Sequence, residues 1–172
     1  NLLCPFCSYG AVDRKVELYR GELLLVVRDF ADIGTEAVTI TGGGEPTLHP
    51  EFNKVINDAL DLNYKVGMIT NGTALGRADI GVLNEMVWVR ISCSDHWDYF
   101  KYCDVVEKVV KETPAPDWGM SYVVLNNGAF RPDNFVNCVK FANDNGFAYI
   151  RVVSDLTHPE WITPMEEVRG TL

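Results

Sequence analysis

Ala37-Val38-Thr39-Ile40-Thr41-Gly42-Gly43-Gly44-Glu45-Pro46 runs from a mostly β-branched stretch straight into three glycines, an acid and a proline. Residues Ala37–Thr41 read as a short buried strand, since β-branched side chains suit a pleated surface and the glycines bound the run. Three glycines let the backbone approach a ligand closely and leave its N–H and C=O groups unblocked. Glu45 adds a carboxylate able to accept from an ammonium group. The loop lacks the Gly-Lys-Ser/Thr end of a P-loop, and Thr47 stands where G-x-G-x-x-G needs its third glycine. A glutamate so close to the glycines repels phosphate, so the loop favours a ligand carrying a positive group. Read blandly, it is only a tight strand-to-helix turn.

Working outward from that loop, further strand-like runs follow at Lys65–Thr70, Val87–Ser92, Met120–Leu125 and Tyr149–Ser154. Segments with helical spacing lie between them. Phe52, Val55, Ile56, Ala59 and Leu60 trace one apolar face, Val105, Val106, Val109 and Val110 another, and Phe135, Val139 and Ala142 a third. Gly34 and Gly146 fall where helices would end, and Pro50 and Pro132 near helix starts. Strand–helix alternation of this kind means βα units around a parallel sheet with right-handed crossovers. In such folds chemistry collects at the carboxyl ends of the strands. Those ends carry the unusual residues here: residues 42–46, Asn71-Gly72, Ser92-Cys93-Ser94-Asp95, Asn126-Asn127 and Ser154-Asp155.

The chain's 172 residues, 47% of them hydrophobic, suit one domain with a sizeable core over residues 1–172. No apolar run approaches the ~18 residues of a membrane helix, so no membrane partner is expected. The net charge of −9 and the absence of any Lys/Arg run argue against nucleic-acid binding. Five cysteines, only two of them closely spaced, fit a reducing compartment better than a disulfide scaffold, and the cytoplasm is the expected location.

The close pair stands in Cys4-Pro5-Phe6-Cys7. Two thiols three apart suit zinc, disulfide exchange or an iron–sulfur cluster. Soft thiolates on a loop can wrap one corner of a cluster. Disulfide exchange expects a strand before the pair and a helix beginning at it, and gives no reason for the glycine loop. The pair alone leaves these readings open.

Taken together, the two elements resemble the radical S-adenosylmethionine (SAM) superfamily, in which a C-x3-C-x2-C loop follows the first strand and GGEP ends the second. Phe6 matches the aromatic residue before the last cysteine, and Gly43-Gly44-Glu45-Pro46 matches GGEP. Ile69-Thr70-Asn71-Gly72 and Val89-Arg90-Ile91-Ser92 match the ends of the third and fourth strands, and the stretches around GGEP look like those of maturases. The resemblance implies a partial (β/α)6 TIM-like barrel of parallel strands, with a strand and the leading cysteine lying before Asn1. It implies that Cys4 and Cys7 are two of three thiolate ligands to a [4Fe–4S] cluster. Gly43, Gly44 and Glu45 would hold the methionine ammonium of S-adenosylmethionine, with Pro46 and Asn71 in the same binding set. Phe6 would lie near the adenine, Ser92 at the ribose or carboxylate, and backbone at Val153 beside the adenine. The implied chemistry is one-electron cleavage to a 5′-deoxyadenosyl radical, which takes hydrogen from a small-molecule or peptide substrate. The electron would come from a reductant such as flavodoxin or ferredoxin. A degenerate SAM-binding fold without catalysis and a CPFC thiol–disulfide oxidoreductase are the alternatives.

The chain departs from the family pattern at Cys93-Ser94-Asp95, where an apolar residue, Asp and Gly often follow the serine. It shows no cysteine-rich extension after the sixth-strand equivalent. His49 is expected to support the helix after the glycine loop. Asp95, His96, Trp97 and residues 155–159 are expected near the substrate mouth or on solvated loops. Arg151, within a strand, has either a ligand carboxylate or a buried acid as its natural partner. Cys93, Cys103 and Cys138 read as core cysteines.

Overall fold

A computed structural model of the chain describes residues 2, 4, 6, 7, 9, 16–94, 99–125, 130–155 and 168–171. Asn1, Pro5, Asp95, His96, Trp97, Asn126, Asn127 and residues 156–159 lie outside the described residues.

Among the described residues, five strands and five α-helices alternate: α1 (Arg20–Asp32), β1 (Ala37–Ile40), α2 (Phe52–Asp61), β2 (Lys65–Thr70), α3 (Ile80–Asn84), β3 (Trp88–Ser94), α4 (Tyr99–Glu112), β4 (Asp117–Val124), α5 (Pro132–Asp144) and β5 (Tyr149–Ser154). All neighbouring strands pair in parallel, and their order in the sheet is their order in the chain. This is the α/β architecture of a partial TIM-like barrel. The strands fall where β-branched and aromatic residues cluster, with one-residue differences at some ends and two larger shifts. β3 runs on through Ser94, and β4 starts at Asp117 rather than Met120, because Trp118 is buried and Gly119 is paired within the ladder.

The parallel connections, turning the same way, place their helices on one face of the sheet. That face carries Val66, Met68, Val89, Ile91, Cys93, Trp118, Met120, Tyr122 and Val124, all buried. They meet Phe52, Ile56 and Ala59 of α2, Val106, Val109 and Val110 of α4, and Phe135, Cys138 and Phe141 of α5 in one core. The helices form because their apolar residues recur at three- and four-residue spacing. Pro132 opens α5, where a missing N–H is harmless, and the Asp79 carboxylate caps α3 by accepting from Gly81 and Val82 N–H.

Side chains alternate across a strand, so the opposite face carries Thr39, Ile69, Trp88, Arg90, Ser92, Ser121, Val123, Tyr149, Arg151 and Val153. None of these ten is buried. Two close approaches shape this open face. Trp88 lies across Gly67, where an added Cβ would sit 2.1 Å from the indole, and Tyr149 lies across Gly119, where it would sit 2.3 Å from the phenol ring. Only glycine fits beneath either ring.

Helix α1 has no buried residue and touches α2. Arg20 reaches Asp58 with two charge-assisted bonds, Nε to Oδ2 and Nη2 to Oδ1, both 2.7 Å. The Tyr64 hydroxyl donates to Val27 C=O at 2.7 Å.

Candidate active site

The loop after β1 is organised by its acid. Glu45 is 7% exposed, and all its partners are donors. Oε1 accepts from Thr47 N–H (3.2 Å), Thr47 Oγ1 (2.6 Å) and Thr70 Oγ1 (2.5 Å), while Oε2 accepts from Asn71 N–H (2.7 Å). The side chain thus ties the glycine loop to the end of β2. A carboxylate offers about four lone-pair positions, two on each oxygen. Oε1 is fully used, and Oε2 keeps one acceptor position beyond the Asn71 bond.

The partners are themselves fixed. Thr70 is buried, and its Oγ1 also accepts from Gly72 N–H at 3.0 Å. Asn71 Oδ1 accepts from Thr73 N–H and Oγ1, closing an Asx turn. Gly72 has φ +77°, and an added Cβ would lie 2.9 Å from Val106 Cγ2. Pro46 begins a short 3-10 turn, Pro46–Leu48, whose first N–H groups include the Thr47 donor to Glu45. Gly43 and Gly44 are exposed.

The cysteine loop reaches this structure through an aromatic ring. Cys7 N–H donates to Cys4 C=O at 3.1 Å, so one turn holds both thiols. Neither is in a disulfide, both are half-buried, and Phe6 between them is half-buried too. The ring of Tyr9 lies against Gly43, 3.4 Å from where a Cβ would stand. His49 ties down the approach to α1. Its Nδ1 accepts from Glu51 N–H at 3.2 Å, so Nε2 carries the proton and donates to Leu18 C=O at 3.2 Å. Residues 16–19 are irregular, and α1 starts at Arg20.

Ser92 and Val153 both face the open side of the sheet, Ser92 level with Ser121 and Arg151, and Val153 level with Ser94 and Val123. The structure therefore gathers Gly43, Gly44, Glu45, Pro46 and Asn71 around one carboxylate and puts Ser92 and Val153 on one sheet face. Tyr9 connects the cysteine turn to the first group. Of the other cysteines, Cys93 donates to Ser121 C=O from the core and Cys138 is buried. Burial, and then the Asp104 carboxylate, push the Cys103 thiol above its usual range, which keeps it protonated and a poor nucleophile. Arg151 is exposed on the open face.

Sequence reasoning missed Tyr9, Thr47 and Thr70 as parts of the site. The hydroxyls stood inside the motifs, but nothing local shows that Thr70 turns toward a carboxylate twenty-five residues away.

The model of the radical SAM superfamily matches residues 1–157. The chain belongs to the radical SAM superfamily. Radical SAM proteins are enzymes that use a [4Fe–4S] cluster and S-adenosylmethionine, and these are the cofactors of the family. The chain is 40% identical over 83 residues to a GTP 3′,8-cyclase of Actinobacillus pleuropneumoniae serotype 3 (strain JL03), a match covering 45% of this chain and 24% of that protein. It is 29% identical over 75 residues to an S-adenosylmethionine-dependent nucleotide dehydratase of Selenomonas ruminantium, covering 44% of this chain and 27% of that one. The chain thus matches about a quarter of the length of these relatives. Among solved structures, Streptococcus suis SuiB bound to S-adenosylmethionine shares the fold with a TM-score of 0.70 at 14% identity, over 98% of this chain and 42% of SuiB. TYW1 with a lysine–pyruvate adduct shares it with a TM-score of 0.57 at 14% identity, over 88% of this chain and 58% of that one.

The radical SAM cofactors fit the residues on hand. The Cys4–Cys7 turn supplies two soft donors side by side, and among the described residues no third acid, histidine or cysteine joins them. The free acceptor position on Glu45 Oε2 suits an ammonium group.

Proposed function

We propose that this chain is the cofactor-binding core of a radical SAM enzyme that removes a hydrogen atom from a small-molecule or peptide substrate. The observation that carries the reading is Tyr9 laid on Gly43, which sets the two-thiol turn beside the glycine–glutamate loop. The whole of residues 1–172 serves as this one domain.

Cys4 and Cys7 would hold the cluster through their thiolates. Glu45 Oε2 and the exposed backbone of Gly43 and Gly44 take the methionine ammonium. The Asn71 N–H and the Thr70 hydroxyl keep the carboxylate aimed, and Pro46 fixes the loop's exit. Ser92 addresses the ribose or carboxylate, while Val153 and Phe6 supply apolar contact for the adenine. When bound, the cluster and S-adenosylmethionine supply a one-electron cleavage yielding a 5′-deoxyadenosyl radical. The protein's own contribution is placement: a carboxylate already locked by four bonds does not reorganise when the ligand arrives.

The relatives named above act on GTP and on nucleotides, so nucleotides are the first substrates to test, and a precursor peptide bound by SuiB makes peptides the second. A flavodoxin or ferredoxin is the expected electron donor, and the cytoplasm the expected compartment. A disulfide-exchange role has less support, because it gives no reason for the glycine–glutamate loop.

The test is anaerobic incubation of the reconstituted full-length protein with S-adenosylmethionine and dithionite, followed by quantification of 5′-deoxyadenosine. The wild type should form it, and Cys4→Ser and Cys7→Ser should not. Equal yields from wild type and a Cys4→Ser/Cys7→Ser double variant would overturn the reading.

A further inference from the structure

The open face of the sheet holds a cation that no described residue meets in an ion pair. Arg90, third residue of β3, lies two residues before Ser92 and level with Ile69, Gly119 and Tyr149. Its guanidinium carbon stands 5.5 Å from the centre of the Trp88 ring, which itself lies against Gly67. On the other side, Tyr149 covers Gly119. The arginine thus rests in an aromatic floor whose two rings are accommodated by two glycines. Arg90 Nε is buried and makes no hydrogen bond, and no ion pair reaches the residue among those described. Arg151, the next cation on this face, adds to the same field from β5.

A buried guanidinium donor without an acceptor is a cost that native structures rarely carry, and a carboxylate two strands away would remove it. In a chain of net charge −9 acids are plentiful, yet no described one pairs with Arg90. The only acid on the described strands of this face, Asp117, is exposed at the foot of β4, level with Trp88. The cation–π contact holds the guanidinium over the Trp88 ring, and its N–H groups remain able to meet an anion.

We propose that Arg90 is a binding residue for an anionic oxygen group, a phosphate or carboxylate, of the substrate. The inference rests on the functional reading above and adds the substrate's chemical class: a molecule with an anionic end that goes down onto the Trp88 floor while its reacting carbon stays at the level of Ser92. The methionine carboxylate of S-adenosylmethionine offers the same chemistry, and the experiment separates the two sources.

Cluster-loaded full-length protein is titrated with inorganic phosphate at fixed ionic strength, read by the Trp88 indole N–H resonance, assigned by its loss in Trp88→Phe. The titration is run with and without saturating S-adenosylmethionine, and repeated without the cluster. Wild type should show a saturable shift in every condition. Arg90→Gln should weaken it about tenfold or more, Arg90→Lys less, and the exposed Arg77→Gln not at all. Affinity for S-adenosylmethionine should stay within about twofold in Arg90→Gln, and the unfolding midpoint should fall little, because the Trp88 contact is offset by a buried Nε that lacks an acceptor. A phosphate shift abolished by S-adenosylmethionine, with weaker S-adenosylmethionine binding in Arg90→Gln, would assign Arg90 to the cofactor and overturn the proposal. So would a wild-type shift no larger than that of Arg90→Gln. If the protein takes up neither cluster nor S-adenosylmethionine, the functional reading fails while the phosphate titration still decides the role of Arg90.

Discussion

Thr70→Val keeps shape and volume and removes one hydroxyl from the centre of the site. That hydroxyl donates to Glu45 Oε1 at 2.5 Å and accepts from Gly72 N–H at 3.0 Å, and Thr70 is 1% exposed. A hydrogen bond to a charged acceptor contributes about 1.5–3 kcal/mol, and a buried N–H left unsatisfied costs about 1–3 kcal/mol. The two losses share one group and do not add in full. Glu45 Oε1 also keeps both Thr47 donors, so the carboxylate is not orphaned. The expected loss is therefore about 2–4 kcal/mol. With a urea slope of about 2 kcal/mol per molar, the unfolding midpoint should drop by roughly 1–2 M. Binding of S-adenosylmethionine should weaken as well, because the carboxylate loses one of the two groups anchoring it to β2. A midpoint shift worth less than about 0.5 kcal/mol would refute the idea that this hydroxyl pins the loop.

Three further outcomes follow from the same geometry. Gly72→Ala should destabilise by about 1–3 kcal/mol, since alanine is strained at φ +77° and its Cβ meets Val106 Cγ2 at 2.9 Å. Adding Val106→Ala should relieve the clash but not the backbone strain, so full recovery in urea unfolding would contradict the account. The hydrogen bond from Arg20 holds the Asp58 carboxyl below the ordinary carboxylate range. Because the folded value is the lower one, this stabilisation is complete above the unfolded value of about 3.9 and is lost as pH falls through the folded value. Thermal melts of wild type and Asp58→Asn should therefore begin to converge as pH falls below about 4 and meet only below the lower folded value, and parallel pH profiles would show that the pair contributes nothing. Gly43→Val should push the Tyr9 ring off the glycine loop and lower cluster occupancy by iron assay, with little change in melting temperature; unchanged occupancy would remove Tyr9 as the link.

Much of the architecture was legible because it is written in local pattern. β-branched runs mark the strands, and glycines and asparagines mark their carboxyl ends. Ala37–Ile40 and Lys65–Thr70 lie within the runs that predict them, because their ends coincide with a change in residue type. The start of β4 was not legible, because Asp117-Trp118-Gly119 has the composition of a turn and becomes strand only when Tyr149 covers the glycine. The identities of the loop residues were readable, but their internal bonding was not. Glu45 looks from sequence like a bare ligand group, whereas three of its four bonds arise from hydroxyls and an N–H whose direction only the packed sheet decides. The Trp88–Arg90 stack was hidden for the same reason, since Gly67 weakens a strand pattern and reveals nothing of the ring above it.

The central claim is that the Cys4–Cys7 turn and the Glu45 loop together hold an iron–sulfur cluster and S-adenosylmethionine. It is tested most directly by reconstituting the full-length protein anaerobically with iron and sulfide, reducing it, and recording electron paramagnetic resonance with and without S-adenosylmethionine. The account predicts a reduced [4Fe–4S] signal that changes when S-adenosylmethionine is added and stops responding in Glu45→Ala. No cluster, or a cluster signal indifferent to S-adenosylmethionine, would contradict it.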